Sequence, residues 1–437
     1  MNSEQILTCV FEFLDAGVSP FHAVRKAAAL LEDAGYTLLP EASYWTMEPG
    51  HGYYTTRNGS ALIAWRIPAH AIGGWRIAAS HSDSPTWRVK NTAVPAGPCT
   101  KLEVEGYGGM NMATWLDRPL TVAGRAVVRT AGGIECRAVC VDRDLCVIPS
   151  LAIHMDRSVN DGHQYNPQVD MQPLLGAAGC TGLNVLVAEA AGCAPDDLLE
   201  TELSLVTRQK AVRIGPDGEY FLSPRIDDLE CAVTTLLGFL SAAPQTDSAC
   251  APVWAMLDNE EVGSGSRQGA QSTFLRDTLD RILNAIPHAA QAQQRAFANS
   301  FCLSADNAHA NHPNFGGKAD PANPVALGGG VVMKVNASQK YTTNGLSAAL
   351  FREICARAGV PVQLFANRAD LPGGSTLGNL QSHTVPVPMV DIGLAQLGMH
   401  SAVETAACAD AQAMVRAVEQ FYRIHLRAVG DGAYLAE

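Results

Sequence analysis

Three carboxylates fall within four residues, at Asp258, Glu260 and Glu261, immediately after the apolar run 253–257. That run is short and bounded by Pro252 and the acids, so it predicts a buried strand. Three negative charges at the mouth of a buried strand repel one another strongly where the dielectric is low. A multivalent cation or a bound proton would offset the repulsion; the plain alternative is a solvated acidic turn. Other polar groups share the same placement. His81 and Asp83 follow the apolar run 75–80, Asp227 and Asp228 precede the apolar-periodic run 229–240, Asp306 follows 300–304, and His400 comes after 388–392. Each lies near the end of a predicted strand or the start of a predicted helix, where open α/β sheets gather ligands.

Two histidines with several carboxylates suit zinc or a similar divalent ion, and the lack of thiolate ligands argues against a structural zinc site. Asp83, two residues past His81, is placed to orient the imidazole. If two ions share a bridging carboxylate, three carboxylate ligands neutralise much of the fourfold positive charge, leaving a coordination position open for water. Of the adjacent Glu260 and Glu261 only one needs to bind metal, so Glu260 is free to act as the general base. Asp258 is left as a supporting acid with no partner named.

The elements that must position these groups alternate in type. Residues 4–14 and 19–34 read as helices, the second with Ser19 as N-cap, Pro20 at the first helical position and Gly35 past the end. Residues 61–66 and 74–80 read as strands. From 88 to 221 short and alternating apolar runs at 101–105, 120–129, 136–141 and 145–149 are punctuated by Gly and Pro, which predicts a largely β insertion in a larger α/β unit. Within it, 160–169 is polar and turn-rich and reads as an exposed loop. Afterwards helices are expected at 229–240, 267–285 and 344–358, with strands at 253–257, 300–304, 328–335, 360–365 and 388–392. Residues 402–426 read as one long amphipathic helix.

Composition narrows the function classes. The chain has 437 residues, 47% hydrophobic and 17% charged, enough for one large domain plus a second. A formal net charge of -12 leaves no surplus of cations for nonspecific nucleic-acid binding. No secretory signal and no apolar run of membrane-spanning length is visible, so a cytoplasmic protein without membrane partners is expected. The twelve cysteines are scattered without a CxxC pair and read as reduced, mostly core thiols.

Seven segments, in order along the chain, resemble the M18 family of metallo-aminopeptidases, the aspartyl aminopeptidases. They are Ser80-His-Ser-Asp-Ser-Pro85, Arg225-Ile-Asp-Asp-Leu229, Leu257-Asp-Asn-Glu-Glu-Val-Gly-Ser264, Ser304-Ala-Asp-Asn-Ala-His-Ala-Asn-His-Pro313, Lys334-Val-Asn336, Gly373-Gly-Ser-Thr-Leu-Gly378 and Gly398-Met-His-Ser401. The resemblance implies an α/β zinc-exopeptidase-like fold: residues 1–87 and 222–437 form a mixed central sheet flanked by helices, and 88–221 an inserted β-rich dimerisation and lid domain. It further implies two Zn2+ per subunit, with Co2+ or Mn2+ as substitutes. His81 and Asp306 would bind one ion, Glu261 and His400 the other, and Asp227 would bridge both. Asp228 stands where the family motif often has Asn, which places two acids side by side; motif alignment favours Asp227 as the bridge. Glu260 would take a proton from the water held at the metals and pass it to the leaving amine. His154, in Leu151-Ala-Ile-His154-Met-Asp-Arg157, would reach the active site of a neighbouring subunit, with dimers assembling into a tetrahedral dodecamer. Lys334 and Tyr341 would contact the substrate, the lysine pairing with an acidic side chain.

His309 and His312 are expected to hold the loop or to support the ligands from behind rather than to ligate, because a dinuclear site is already filled. Gly373-Gly-Ser-Thr376 has neither the lysine of a P-loop nor the GxGxxG spacing and reads as a tight turn near substrate. Asp277 is given no functional role. The implied activity is removal of an N-terminal residue, preferably Asp or Glu, from peptides. The competing readings are a metallo-aminopeptidase of broader specificity and a non-catalytic assembly or cargo protein, which would have little reason to retain Glu260 with a full ligand set.

Overall fold

In the computed structural model, which describes residues 1–242 and 250–436, a nine-stranded sheet forms the centre. Its middle consists of Cys250–Leu257, Gly74–His81, Phe301–Ala305 and Met389–Gly393, neighbours in that order and all parallel. Ala61–Arg66 pairs antiparallel on one side, and Val331–Val335 antiparallel on the other, so the sheet is mixed. Parallel strands covered on both faces need apolar side chains on both. Cys250–Leu257 meets that need: Trp254 and Met256 join one core cluster, while Val253, Ala255 and Leu257 join the other.

The first cluster is closed by helices Ser3–Ala16, Pro20–Asp33, Ile226–Ser241 and Cys408–Arg423 through Phe13, Leu236, Phe239 and Phe421. The second gathers Trp65, Trp75, Phe274 and Ile282, the last two from helix Phe274–Asn284. Each fully buried Val, Leu, Ile or Phe side chain contributes roughly 1.5–3 kcal/mol. Together the two clusters clamp the sheet, so the parallel strands deliver their carboxyl ends to fixed places.

A second sheet of six strands is built entirely from residues 86–207, with its own core of Trp87, Leu102, Trp115, Leu120 and Leu203 under helix Leu183–Ala191. A third, five-stranded sheet joins Val212–Ile214 and Tyr220–Ser223 to Glu404–Ala407, Ala395–Leu397 and Ala308–His309. No described helix is long and apolar enough to cross a membrane.

Three expectations about elements need correction. Residues 402–426 are not one helix: Glu404–Ala407 pairs with Tyr220–Ser223, the helix spans Cys408–Arg423, and Leu426–Gly430 opens a hairpin. The periodicity was readable only over the helical part, because a four-residue strand inside an apolar run carries no distinguishing pattern. Helix 267–285 is confined to Phe274–Asn284, since the Gly269 turn is tied back to the acidic turn through Gln268. Residues 145–149 make only isolated bridges rather than a ladder strand.

Candidate metal centre

His81 is the last residue of strand Gly74–His81 and lies in register with Leu257, so the acidic turn begins beside it. Asp306 follows strand Phe301–Ala305, one strand further on. Asp227 and Asp228 open helix Ile226–Ser241 with non-helical backbone, and both are buried. His400 sits in the loop after Ala395–Leu397. Strand geometry and chain path thus bring five separated segments to one point. Arg225, Asn259 and His400 have φ of 59°, 61° and 65° there, a left-handed conformation that costs non-glycine residues of order 1–3 kcal/mol and clusters at functional sites.

Asp227 is at the centre. Its Oδ1 lies 3.5 Å from His81 Nε2 and its Oδ2 lies 3.3 Å from His400 Nε2, so the two oxygens face different imidazoles. Glu261 Oε1 is 3.4 Å from the same His400 nitrogen. Potential ligand atoms form three overlapping groups: His81, Asp227, Asp228 and Asp306; His81, Glu260 and Glu261; and Asp227, Glu261 and His400, with members of each group within 4.8 Å of one another. Among the described residues, Asp227 Oδ1, Asp228 Oδ1 and Glu261 Oε1 are buried oxygens without a hydrogen-bond partner. Buried orphan carboxylate oxygens converging with imidazole nitrogens are what a divalent ion bound by N and O ligands requires, and the residues fit such an ion.

Both imidazoles are held so that Nε2 faces this point. His81 Nδ1 donates to the Asp83 carbonyl at 3.0 Å, and His400 Nδ1 donates to the Gly109 carbonyl at 2.7 Å. A carbonyl can only accept, so Nδ1 carries a hydrogen, and in the neutral ring that a metal needs the lone pair is on Nε2. Asp83, fully buried, does more than face His81: its carboxylate accepts the backbone N–H of Glu260 and of Glu261, each at 3.1 Å.

Electrostatics reflects the crowding. Burial, reinforced by the charges of Asp306, Asp83 and Asp227 and opposed by His81, pushes Glu260 up to about 8. Glu261 and Asp228 are raised well above the carboxylate range, again chiefly by burial. Asp227 goes the other way: burial would raise it, but His400 and His81 outweigh burial and hold it low. A cation among these groups reverses the repulsion. Asp258, for which the sequence suggests no partner, is buried and accepts the Asn259 backbone N–H at 2.7 Å.

Lys334 is buried, with Nζ donating to the backbone carbonyls of Asp306 at 2.7 Å and Asn307 at 3.2 Å and lying 3.5 Å from Asp306 Oδ2. It therefore anchors the Asp306 turn. Two of its three N–H groups are committed to those carbonyls, and Nζ stands 5.4 Å from the centre of the buried Tyr341 ring. His309 and His312 line a neighbouring cavity of about 260 Å³ with Lys318, Arg368 and Asp320. Burial, then Lys334, lowers the pKa of His309. His154 is exposed, and among the described residues no hydrogen bond or ion pair joins it to the ligand groups. Leu151, Ile153 and Met155 around it are exposed as well.

Two positioning groups escape a linear reading. Glu404 is buried and accepts from the His400 N–H at 2.7 Å and the Asp227 N–H at 3.1 Å, joining two candidate ligands through their backbones. Its only signal is a spacing of four residues from His400, masked by the expected helix. Asp228 Oδ2 accepts the His81 N–H at 3.0 Å, a role that adjacency to Asp227 alone does not suggest.

Comparisons with known proteins agree along nearly the whole chain. A family profile described as Aminopeptidase I zinc metalloprotease (M18) matches residues 13–422. A probable M18 family aminopeptidase 2 of Clostridium acetobutylicum is 37% identical over 426 residues, covering 95% of this chain and 98% of its own. Its namesake in Pseudomonas aeruginosa is 38% identical over 423 residues, covering 94% and 97%. Among solved structures, a chain in the cryo-EM structure of the Ape4 and Nbr1 complex superposes with a TM-score of 0.93 at 33% identity, covering 96% of this chain and 86% of that one. The S. cerevisiae mApe1 dodecamer gives 0.86 at 26% identity, covering 97% of each.

Proposed function

The chain belongs to the M18 family of zinc metallo-aminopeptidases, and on that premise we propose that it releases one N-terminal residue, preferably Asp or Glu, from peptides at a centre of two zinc ions, for which Co2+ or Mn2+ can substitute. The observation that carries the dinuclear reading is Asp227, whose two oxygens face His81 on one side and His400 on the other. His81 and Asp306 would hold one ion and Glu261 and His400 the other, with Asp227 shared between them. Zinc supplies Lewis acidity at the scissile carbonyl and the positive charge that offsets the crowded acids. Glu260, half-buried beside the ligands, takes the proton of the attacking water and hands it to the leaving amine. Asp83 keeps the His81 ring and the Glu260–Glu261 backbone in place for that transfer.

Acidic preference is supported by the cations near the centre. Lys334 beside Asp306, and Lys318 and Arg368 on the adjoining cavity wall, are the cations that would meet an acidic side chain, Arg368 being already paired with Asp370 at 2.7 Å. Tyr341 borders the same lysine. Residues 88–221 act as the dimerisation and lid domain, and His154 reaches the site of a neighbouring subunit within a homo-oligomer, as tetrahedral dodecamers would allow. The exposed Leu151, Ile153 and Met155 around His154 support this, since nothing among the described residues covers them. A reducing, cytoplasmic setting is supported by the buried free thiols Cys146, Cys231, Cys302 and Cys355.

The test is a panel of aminoacyl substrates run on protein whose metal content is measured. Equal or greater turnover of leucyl over aspartyl and glutamyl substrates would sink the acidic preference, and absence of bound divalent metal would sink the catalytic reading. His154→Phe is expected to lower turnover with metal content intact; undiminished activity would remove the intersubunit role.

A further inference from the structure

Residues 107–111 leave the strand Cys99–Tyr107 of the six-stranded sheet and touch a different arm of the metal centre at nearly every step. The Tyr107 hydroxyl donates to Asp83 Oδ2 at 2.7 Å and accepts from Asn259 Nδ2 at 2.8 Å. Asp83 in turn receives the backbone N–H groups of Glu260 and Glu261, so the phenol sits one hydrogen bond away from the turn that presents both acids. Gly108, at φ 74°, comes so close that a Cβ on it would stand 3.1 Å from Glu261 Cβ. Only glycine combines that backbone conformation with that approach at low cost. Gly109 gives its carbonyl to His400 Nδ1 at 2.7 Å, and the Asn111 N–H donates to the His400 carbonyl at 2.9 Å. With Glu404 on its N–H, His400 is gripped through ring, amide and carbonyl, which explains how it is kept at φ 65°.

We propose that residues 107–111 are a positioning strap through which the inserted sheet sets the orientation of Glu261 and His400, and with it the affinity of the ion those two residues hold. The proposal rests on the metal assignment above. Partners that orient a metal's ligands are worth about 10–100-fold in affinity or activity when removed. The strap contacts Glu261 and His400 directly, whereas Asp306 is anchored from the other side by Lys334. Tyr107 bonds the Asp83 carboxylate oxygen that also receives the Glu261 N–H, not the Asp83 carbonyl that holds His81, so loss of the strap weakens the Glu261–His400 ion more than the other.

Stepwise zinc affinities of the full-length protein, measured by competition with a chromophoric chelator, test this. Tyr107→Phe keeps the ring and removes the hydroxyl; Gly108→Ala pushes on Glu261. For Tyr107→Phe one of the two dissociation constants is expected to rise about 10-fold or more, with the other within about twofold, KM unchanged, and kcat recovering at saturating zinc. A merely structural role would lower Tm and leave both constants alone. Should Gly108→Ala not fold, Tyr107→Phe decides: two unchanged constants overturn the strap. A parent chain that takes up no zinc overturns the metal assignment and the strap with it.

Discussion

His81 and Asp306 stand on the ends of two neighbouring parallel strands, their side chains 1% and 12% exposed, whereas His400 is 30% exposed and rides on a loop. The first pair takes its position from the central sheet, which is packed on both faces. The second takes it from side-chain and backbone hydrogen bonds that reach across to the six-stranded sheet, 291 residues away in sequence for His400 and Gly109. One half of the centre is thus fixed by the core. The other is adjustable, because hydrogen-bonded loops open at lower free energy than core strands.

The largest expected effect ignores this asymmetry and defines its baseline. Glu260→Gln should cost about 10³-fold in kcat with both metals retained, since only the proton carrier is lost; metal analysis beside the kinetics checks it. Comparing His81→Ala with His400→Ala then addresses the two halves directly. Each should lose one ion, but His81→Ala should lower Tm more, because the His81 ring is 1% exposed at the end of a core strand and its removal leaves a cavity, whereas His400 is 30% exposed. Equal losses of Tm would show the halves to be equally rigid.

Lys334→Met probes the fixed half from its outer side. Removing a buried ammonium that holds Asp306 should cost about 3–5 kcal/mol of stability, read from denaturant unfolding. If the lysine also reads the substrate, KM for aspartyl substrates should rise more than for leucyl ones; a uniform rise would restrict it to anchoring.

The smallest effect concerns the metal-stripped chain. Burial raises Glu260 and Glu404 to about 8, and Asp227 brings His400 to about 9 against the effect of burial. For a raised carboxyl, the cost of ionising in the folded state grows as pH climbs toward the folded value. For a raised histidine, stability is full below its ordinary value and is lost as pH rises through the folded one. Both signs agree, so chelator-treated protein should lose Tm from about pH 4.5 to 8 through the carboxyls and on to about 9 through His400, relative to the zinc-loaded protein. Parallel Tm curves would contradict the crowding.

The site was legible in the sequence to the extent that it hangs on strand ends. His81, Asp306 and the acidic turn each follow an apolar run whose length and composition announce a buried strand, and the structure brings them together at the sheet's carboxyl edge. His400 was legible from its place after the run 388–392 and by motif, but its support was not, because its loop is held by Glu404 in a strand that the helical periodicity of Cys408–Arg423 concealed. Tyr107, Gly108 and Gly109 carry no local signal of any chemistry. Their role exists only once the six-stranded sheet is docked.

Side-chain chemistry and hydrophobic periodicity within short windows carry the candidate ligand types, the α/β alternation and the β-rich character of residues 88–221. The tertiary structure alone decided that the two Asp227 oxygens face different imidazoles, that Lys334 anchors Asp306, and that the strap after Cys99–Tyr107 grips His400. Those are contacts between segments tens to hundreds of residues apart, and no window along the chain contains both partners.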